Sequence, residues 1–121
     1  MPKKKIMIVD DSGTIRQQVS ITLRNAGYIV VEAEDGVDCL EKMAKTPDIS
    51  MLIIDIFMPN MGGLELISKL KDAGNNTPKI VLTTEGSREA VTKAKEQGVL
   101  GWLVKPFQPN QLLEVVNKLA L

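Results

Sequence analysis

Five short, mostly apolar runs alternate along the chain with longer stretches in which apolar residues recur every three or four positions. The runs cover residues 5–9, 29–32, 50–54, 79–83 and 101–104. Strands that are apolar throughout are typical of a parallel sheet that is covered on both faces. The pattern therefore predicts five buried strands separated by helices.

The stretches between the runs predict five amphipathic helices. Gly27, Gly74 and Gly98 follow three of them as stop signals. Ser87 is a candidate N-cap for the fourth helix, and Pro109 begins the fifth. The fourth helix is the least apolar, so we expect it to be the most loosely held. The residues predicted to face the core are Ile15, Val19, Leu23 and Ala26; Val37, Leu40 and Met43; Leu64, Ile67 and Leu70; Ala90, Val91 and Ala94; and Leu112, Val115, Val116 and Leu119.

The order of these elements, βαβαβαβαβα, determines the class of fold. Strands of one sheet that are joined through helices need crossover connections, so the sheet is parallel and helices cover both of its faces. The five units occupy residues 1–121 and leave no stretch for a linker or an output domain. We therefore predict a single α/β domain.

Composition narrows the classes of function. Fifteen Lys and Arg residues balance fifteen Asp and Glu residues, which argues against nucleic-acid binding through bulk charge; the lysines at residues 3–5 are interpreted as a solvated lead-in to the first strand. The chain has no histidine and one cysteine, which excludes an intrachain disulfide, a Cys/His zinc site and His-dependent nucleophilic chemistry. Cys39 is therefore expected in the core. No window holds the roughly 18 apolar residues of a membrane span, so we expect a cytoplasmic protein.

Polar residues follow four of the five runs at their carboxyl ends, where open parallel sheets bind ligands. They are Asp10 and Asp11 after the first run, Asp55 after the third, Thr83 and Thr84 at the end of the fourth, and Lys105 after the fifth. Taken singly, each has an ordinary interpretation as a helix cap, a turn residue, a strand residue or a surface lysine. Their joint occurrence at strand ends predicts that they converge on one rim of the sheet.

Three carboxylates on one rim repel one another unless a cation joins them. Carboxylate oxygens without softer ligands favour Mg²⁺ or Mn²⁺, and Mg²⁺ is commonly shared with a phosphate. A lysine and a threonine hydroxyl on the same rim are suited to hold phosphate oxygens. The set therefore predicts phosphoryl transfer to an aspartate, with the metal and the lysine stabilising the charge that develops.

These residues resemble the receiver domain of the response-regulator family, and in particular its chemotaxis members. The motifs that carry the resemblance are Val9-Asp10-Asp11, Asp55 followed by Met58-Pro59, Thr83-Thr84-Glu85 and Lys105-Pro106-Phe107, together with residues 32–36 and 58–66. The resemblance covers essentially the whole chain. It implies a flavodoxin-like (βα)5 fold, a three-layer sandwich whose strands take the order 2-1-3-4-5.

The resemblance implies a role for each residue of the set. Asp55 is the expected acceptor of a phosphoryl group from a phosphohistidine on a sensor histidine kinase. Asp10, Asp11 and Asp55 are expected to hold Mg²⁺, for which Mn²⁺ can substitute, and the backbone carbonyl of Phe57 completes the protein ligands. Lys105 is expected to pair with Asp55 and then with the phosphoryl group. Beyond this transfer and its own dephosphorylation, the protein is not expected to be an enzyme.

A conformational switch is implied as well. Thr83 is expected to move inward to bond a phosphoryl oxygen, and Trp102 stands at the position of the aromatic residue that follows it. Thr84 and Glu85 are candidate modulators, and the Lys105–Pro106 bond is expected to be cis. The output surface would comprise the fourth helix, the fifth strand and the fifth helix, and its target would be a partner protein such as the flagellar motor switch. The protein is expected to be monomeric, without nucleic-acid or membrane partners.

Three positions depart from the pattern of the family. Gly62 stands where close relatives have aspartate, and the glycine pair it forms with Gly63 is expected to loosen the start of the third helix. Phe57 is bulky enough to cover a phosphoryl group on Asp55, so we expect slowed self-hydrolysis. The large ring of Trp102 is expected to rotate only partly.

Several other functions remain open at this level. A phosphorelay intermediate would pass its phosphoryl group to a histidine phosphotransfer domain, and the sequence does not exclude it. A haloacid-dehalogenase-like phosphatase would need a second aspartate two residues after the nucleophile, where this chain has Phe57. A flavodoxin-like cofactor binder would need a phosphate-binding loop in place of Asp10 and Asp11. A degenerate receiver would lack part of the site, which is complete here.

Overall fold

The computed structural model describes residues 4–84 and 88–119, in which five strands alternate with five helices. In chain order the elements are β1 (Lys5–Val9), α1 (Gly13–Asn25), β2 (Ile29–Ala33), α2 (Gly36–Lys45), β3 (Ile49–Asp55), α3 (Gly63–Asp72), β4 (Lys79–Thr84), α4 (Arg88–Glu96), β5 (Gly101–Lys105) and α5 (Pro109–Leu119). The predicted order of elements is confirmed, and each apolar run lies in a strand. The longest of these helices has 13 residues, and none has the length and apolar content that crossing a bilayer requires.

The five strands form one parallel sheet in the order β2-β1-β3-β4-β5. This is the order that the family resemblance implied. β3 lies at the centre of the sheet, and its residues from Met51 to Asp55 are all buried. A strand that is buried along most of its length needs cover on both faces, which the helices provide.

Successive residues of a strand point to opposite faces of the sheet, and this divides the core into two clusters. In β1, Met7 and Val9 belong to the cluster packed under α2, α3 and α4, whereas Ile6 and Ile8 belong to the cluster packed under α1 and α5. Cys39 of α2 is fully buried in the first cluster, as predicted. Full burial of an aliphatic side chain contributes roughly 1.5–3 kcal/mol to the free energy of unfolding. Because both clusters bury such side chains, helices on both faces stabilise the sheet.

The glycines predicted to end helices adopt the backbone conformation that a helix end requires. Gly27, Gly74 and Gly98 have φ values of 97°, 78° and 93°, in the left-handed region that glycine adopts without strain. Pro109 is the first residue of α5, as predicted. Ser87, the predicted N-cap of α4, lies outside the described residues.

Two residues of the predicted core stripes are exposed instead. Val37 is 43% exposed because the buried side of α2 follows Gly36 and Cys39, and the next residue along a helix lies about 100° around the axis. Ala26 is exposed as the C-cap of α1. The fourth helix carries little apolar surface, as expected, and Ala94 is the one buried residue within α4 as described.

Candidate functional site

Three carboxylates meet at the carboxyl end of the sheet. Asp10 directly follows β1, Asp11 is the next residue, and Asp55 is the last residue of β3. Each offers a carboxylate oxygen, and these oxygens all lie within 4.8 Å of one another. Asp10 and Asp55 are buried, whereas Asp11 is exposed. The cluster therefore opens to solvent on the side of Asp11.

Local hydrogen bonds hold Asp10 in this position. Its backbone N–H donates to the carbonyl of Ala33 at 3.1 Å, which extends the pairing of β1 with β2. Its Oδ1 accepts from the backbone N–H of Ser12 at 2.9 Å. The Ser12 hydroxyl in turn caps α1 by accepting from the backbone N–H of Ile15 at 3.3 Å. The start of α1 and the position of the Asp10 carboxylate are thus set by one short segment.

Lys105 supplies the positive charge of the site. As the last residue of β5, it extends its ammonium to 2.7 Å from Asp10 Oδ2 and 3.4 Å from Asp55 Oδ1. Its side chain is largely buried, so water screens these two ion pairs less than it screens pairs on the surface. The bond between Lys105 and Pro106 is cis, as expected. One ammonium therefore offsets part of the repulsion between two buried carboxylates.

This offset is incomplete at Asp55. Burial, and to a smaller extent the neighbouring charge of Asp10, raise the pKa of the Asp55 carboxyl from 3.8 to about 6. Lys105 acts in the opposite direction, through its charge and its hydrogen bond, and Asp11 adds a smaller upward contribution to the pKa. Any additional cation placed among the carboxylates would therefore stabilise the ionised form of Asp55.

The donor set fits a hard divalent cation. Three carboxylate oxygens within reach of one point, with no nitrogen or sulfur donor among them, suit Mg²⁺ better than zinc or copper. The three carboxylates carry more negative charge than the single ammonium of Lys105 can neutralise. Its open side leaves room for the water ligands that Mg²⁺ retains. The cluster is therefore suited to hold a metal.

The other predicted site residues differ in how far they are exposed to solvent. Thr83 is buried near the end of β4, and its hydroxyl donates to the carbonyl of Thr84 at 3.1 Å. Thr84 is exposed. Phe57 follows the phosphoacceptor candidate in the β3–α3 loop and is 59% exposed. Trp102 is 44% exposed on β5, and Glu85 lies outside the described residues.

One functional neighbour was missed by the sequence reasoning. Arg16, in the first turns of α1, donates from Nη1 to the backbone carbonyl of Asp10 at 2.6 Å and from Nε to Glu32 Oε1 at 3.3 Å. It thereby ties α1 to the ends of β1 and β2 beside the carboxylates. A basic residue six positions after Asp10 was the available signal, but only the turn after β1 places it there.

The loop after β3 is also held more closely than its sequence suggested. Asn60 donates to Asp35 Oδ2 at 2.8 Å, and Asp35 also caps α2 by accepting from the backbone N–H of Asp38 at 2.8 Å. This side-chain bond links the β3–α3 loop to the start of α2. Hydrogen bonding to Asp38 and to Asn60 lowers the pKa of Asp35, so this carboxyl remains charged as a helix cap.

Gly62 and Gly63, which were predicted to loosen the start of α3, differ in how they are packed. Gly62 is the N-cap and makes no side-chain capping bond, in line with that expectation. Gly63, however, is buried and donates its backbone N–H to the carbonyl of Ile56 at 2.8 Å. A Cβ at this position would overlap the carbonyl oxygen of Asp55, so the absence of a side chain lets α3 pack directly against the end of β3.

Comparisons with known proteins agree with this site. The family model described as the response regulator receiver domain matches residues 6–117. The chain is 42% identical over 113 residues to chemotaxis protein CheY1 of Helicobacter pylori, covering 91% of each protein. It is 41% identical over 113 residues to the chemotaxis protein CheY homolog of Campylobacter jejuni, covering 91% of this chain and 87% of the relative. The structure of chemotaxis protein CheY4 of Vibrio cholerae superimposes with a TM-score of 0.90 and 41% identity, over 98% of this chain and 99% of that one.

The family match spans nearly the whole described chain, and its typical ligand, Mg²⁺, is one for which the acidic cluster is suited. Receiver domains are signalling proteins rather than enzymes in the ordinary sense, and the relatives reported above are CheY proteins of chemotaxis. By its sequence, its sheet order and its CheY-like fold, this chain belongs to the response regulator receiver domain family.

Proposed function

We propose that this protein is a phosphorylation switch of a two-component system, in which Asp55 accepts a phosphoryl group from a phosphohistidine on a sensor histidine kinase. The observation that carries the proposal is the placement of the Lys105 ammonium 2.7 Å from Asp10 and 3.4 Å from Asp55, within a cluster of three carboxylates. This arrangement joins a nucleophile to a centre of positive charge on one rim of the sheet.

In this reaction a carboxylate oxygen of Asp55 forms a bond to phosphorus while the P–N bond of the phosphohistidine breaks. Mg²⁺, held by Asp10, Asp11, Asp55 and the backbone carbonyl of Phe57, would supply positive charge to the phosphoryl oxygens. Lys105 lies close enough to Asp55 to contact an oxygen of the phosphoryl group from the other side. The negative charge of the transferred phosphoryl group would then be stabilised by Lys105 and by the metal.

The switch follows from a change of hydrogen-bond partner. The Thr83 hydroxyl donates to the carbonyl of Thr84, and a phosphoryl oxygen on Asp55 would offer it a charged acceptor instead. Bonds to a charged acceptor are stronger, so phosphorylation favours the arrangement in which Thr83 has turned inward. Trp102 is proposed to follow Thr83 into the space that this movement vacates.

The proposed output surface comprises α4, β5 and α5. Leu100 directly precedes the edge strand β5, and Trp102 and Val104 lie within it at alternate positions. All three side chains are large, apolar and exposed. Exposed apolar residues in a row mark a surface for a protein partner. The names of the relatives point to chemotaxis, and we propose that the target is a component of the flagellar motor switch.

The test is intact-mass spectrometry after incubation of the full chain with Mg²⁺ and a small-molecule phosphodonor. We expect one added phosphoryl mass, and none when EDTA is present. A parallel incubation with beryllofluoride and Mg²⁺ monitors the site independently of donor chemistry, through Trp102, the only tryptophan. The proposal fails if neither reagent produces a Mg²⁺-dependent response.

Mg²⁺ affinity should depend steeply on pH around the pKa of Asp55. Because burial and Asp10 raise that pKa to about 6, protons compete with the metal below pH 6, and affinity is expected to fall by up to about tenfold per pH unit there. Above pH 7 it should level off. Isothermal titration calorimetry between pH 5 and 8 measures this dependence. Equal affinity at pH 5 and pH 7 would show that Asp55 is not a ligand.

Replacing Phe57 with asparagine is expected to shorten the lifetime of the phosphoryl group severalfold. Phe57 is exposed beside Asp55, and its ring is proposed to hinder the approach of the attacking water, which a small amide would admit. The phosphoryl lifetime is measured by the decay of the added mass after the donor is removed. Phe57→Leu retains apolar bulk and is expected to resemble the wild type. An unchanged phosphoryl lifetime in Phe57→Asn would show that Phe57 does not hinder the attacking water.

A further inference from the structure

Trp102 lies on the face of the sheet towards which Thr83 also points. In the register of β4 with β5, Val81 is opposite Trp102 and Thr83 is opposite Val104. Residues two apart on a strand share a face, so Thr83 is the diagonal neighbour of Trp102. Val81 packs into the same cluster as Ala94 of α4, which places this face under α4. Any movement of the ring towards Thr83 therefore takes place beneath that helix.

A cation contacts one face of the Trp102 ring while the ring is in its exposed position. The ammonium of Lys95, in the last turn of α4, lies 3.9 Å from the centroid of the ring. This is well within the distance at which an ammonium and an aromatic face attract each other. Within residues 4–84 and 88–119, Lys95 forms no ion pair that would compete, whereas Lys93 on the same helix pairs with Glu89 at 3.4 Å.

We infer that Lys95 holds the Trp102 ring in its exposed position and thereby biases the protein towards its unphosphorylated arrangement. This inference rests on the proposed function. The contact exists only while the ring is outside, and it joins α4 to β5, so it contributes stability to that arrangement alone. An interaction present in one of two states shifts their populations by its full free energy. Lys95 is thus a positioning residue for the switch.

A shift of this kind changes how tightly the site binds a phosphoryl mimic. When the competent arrangement is the minor one, the apparent Kd falls by the factor by which its population rises. Loss of a cation–π contact at a partly exposed site corresponds to about a two- to fivefold change in an equilibrium constant. The Lys95→Met variant keeps the length of the side chain and removes its charge.

The experiment is a calorimetric titration of the full chain with beryllofluoride at saturating Mg²⁺, which does not depend on tryptophan signals. We expect Lys95→Met to bind beryllofluoride about two- to fivefold more tightly than the wild type. Lys95→Arg, which retains a cation over the ring, should match the wild type. Lys93→Met is the matched control, because it removes a lysine from the same helix without touching the ring. Trp102 emission of the unliganded protein should change in Lys95→Met and not in Lys93→Met.

Each result bears on a different claim. If the wild type binds beryllofluoride with Mg²⁺ but Lys95→Met has the same Kd, the role of Lys95 is wrong and the proposed function stands. An equal gain in Lys95→Met and Lys93→Met would also overturn it, because the cause would then be the lost charge of α4 rather than the ring contact. If the wild type shows no Mg²⁺-dependent binding, the proposed function fails, and the inference fails with it.

Discussion

Replacing Asp55 with asparagine is expected to abolish phosphorylation and, at the same time, to stabilise the metal-free protein. The loss of phosphorylation follows because the amide lacks the nucleophilic carboxylate oxygen that we propose forms the bond to phosphorus. The gain in stability follows because Asp55 is buried next to Asp10, and burial together with that neighbouring charge raises the pKa of Asp55 to about 6.

The sign of the stability change comes from the protons bound in each state. Between about pH 4 and pH 6 the folded state holds the Asp55 proton more tightly than the unfolded state, whose carboxyl has its usual pKa of 3.8. The contribution of Asp55 to the free energy of unfolding therefore falls as the pH rises through that window. Above pH 6 the carboxyl is ionised in both states, and the folded protein bears the full free-energy cost of the buried charge. The difference corresponds to about 3 kcal/mol as an upper value, so we expect Asp55→Asn to gain about 1–3 kcal/mol at pH 7.

Urea denaturation in EDTA at pH 4.5 and pH 7 measures this gain, which should be larger at pH 7. Asp48→Asn, an exposed change in the α2–β3 loop, is the control and should alter neither stability nor phosphorylation appreciably. Added Mg²⁺ should stabilise the wild type and reduce its deficit relative to Asp55→Asn. If Asp55→Asn were less stable than the wild type at pH 7 without metal, burial and Asp10 would not destabilise the ionised Asp55 as we propose.

A single methyl group at Gly63 is expected to destabilise the protein by about 1–3 kcal/mol, the usual cost of overpacking. In Gly63→Ala the new Cβ would overlap the carbonyl oxygen of Asp55 and lie 2.8 Å from the Cα of Ile56, both of them backbone atoms that no side-chain rotation can move aside. Relief requires α3 to move away from β3, which also displaces Asp55. We therefore expect weaker Mg²⁺ binding in the same variant.

Gly13→Ala is the matched control for this change. Gly13 is likewise the first residue of its helix and also lies near the carboxylates, but a Cβ there meets its nearest neighbour, Arg16 Nη2, at an ordinary 3.6 Å. Since alanine favours helix over glycine, this variant should be as stable as the wild type or slightly more so. Urea denaturation and Mg²⁺ titration of the two variants provide the comparison. Equal stability of Gly63→Ala and Gly13→Ala would show that α3 is not packed as closely as the structure has it.

Part of the candidate site could be predicted from the sequence because strand ends in a parallel sheet share one edge. The aspartates that follow β1, the aspartate that ends β3 and the lysine that ends β5 had to lie on the same rim once the strands were identified. That rule does not say which atoms meet. The choice of Asp10 as the nearer partner of Lys105, at 2.7 Å against 3.4 Å for Asp55, depends on side-chain placement across the sheet.

Contacts between segments distant along the chain were beyond the reach of sequence patterns. Arg16 reaches the carbonyl of Asp10, and Asn60 reaches Asp35 across 25 residues. Arg16 belongs to no motif, and the motif that contains Asn60 does not indicate which residue its amide contacts. Lys95 likewise belongs to no motif, and its position over the ring of Trp102 results from the way α4 lies beside β5.

The sequence by itself determined the number and order of the elements, the parallel sheet and the residues at its carboxyl edge, because hydrophobic period and helix stop signals act within a few residues. Only the tertiary structure decided how close the carboxylates lie, how far burial raises the pKa of Asp55, and why Gly63 carries no side chain. These depend on the packing of α3 against β3 and on the low dielectric that burial creates. Both are properties of the assembled molecule, since no single segment possesses them before the sheet and its helices come together.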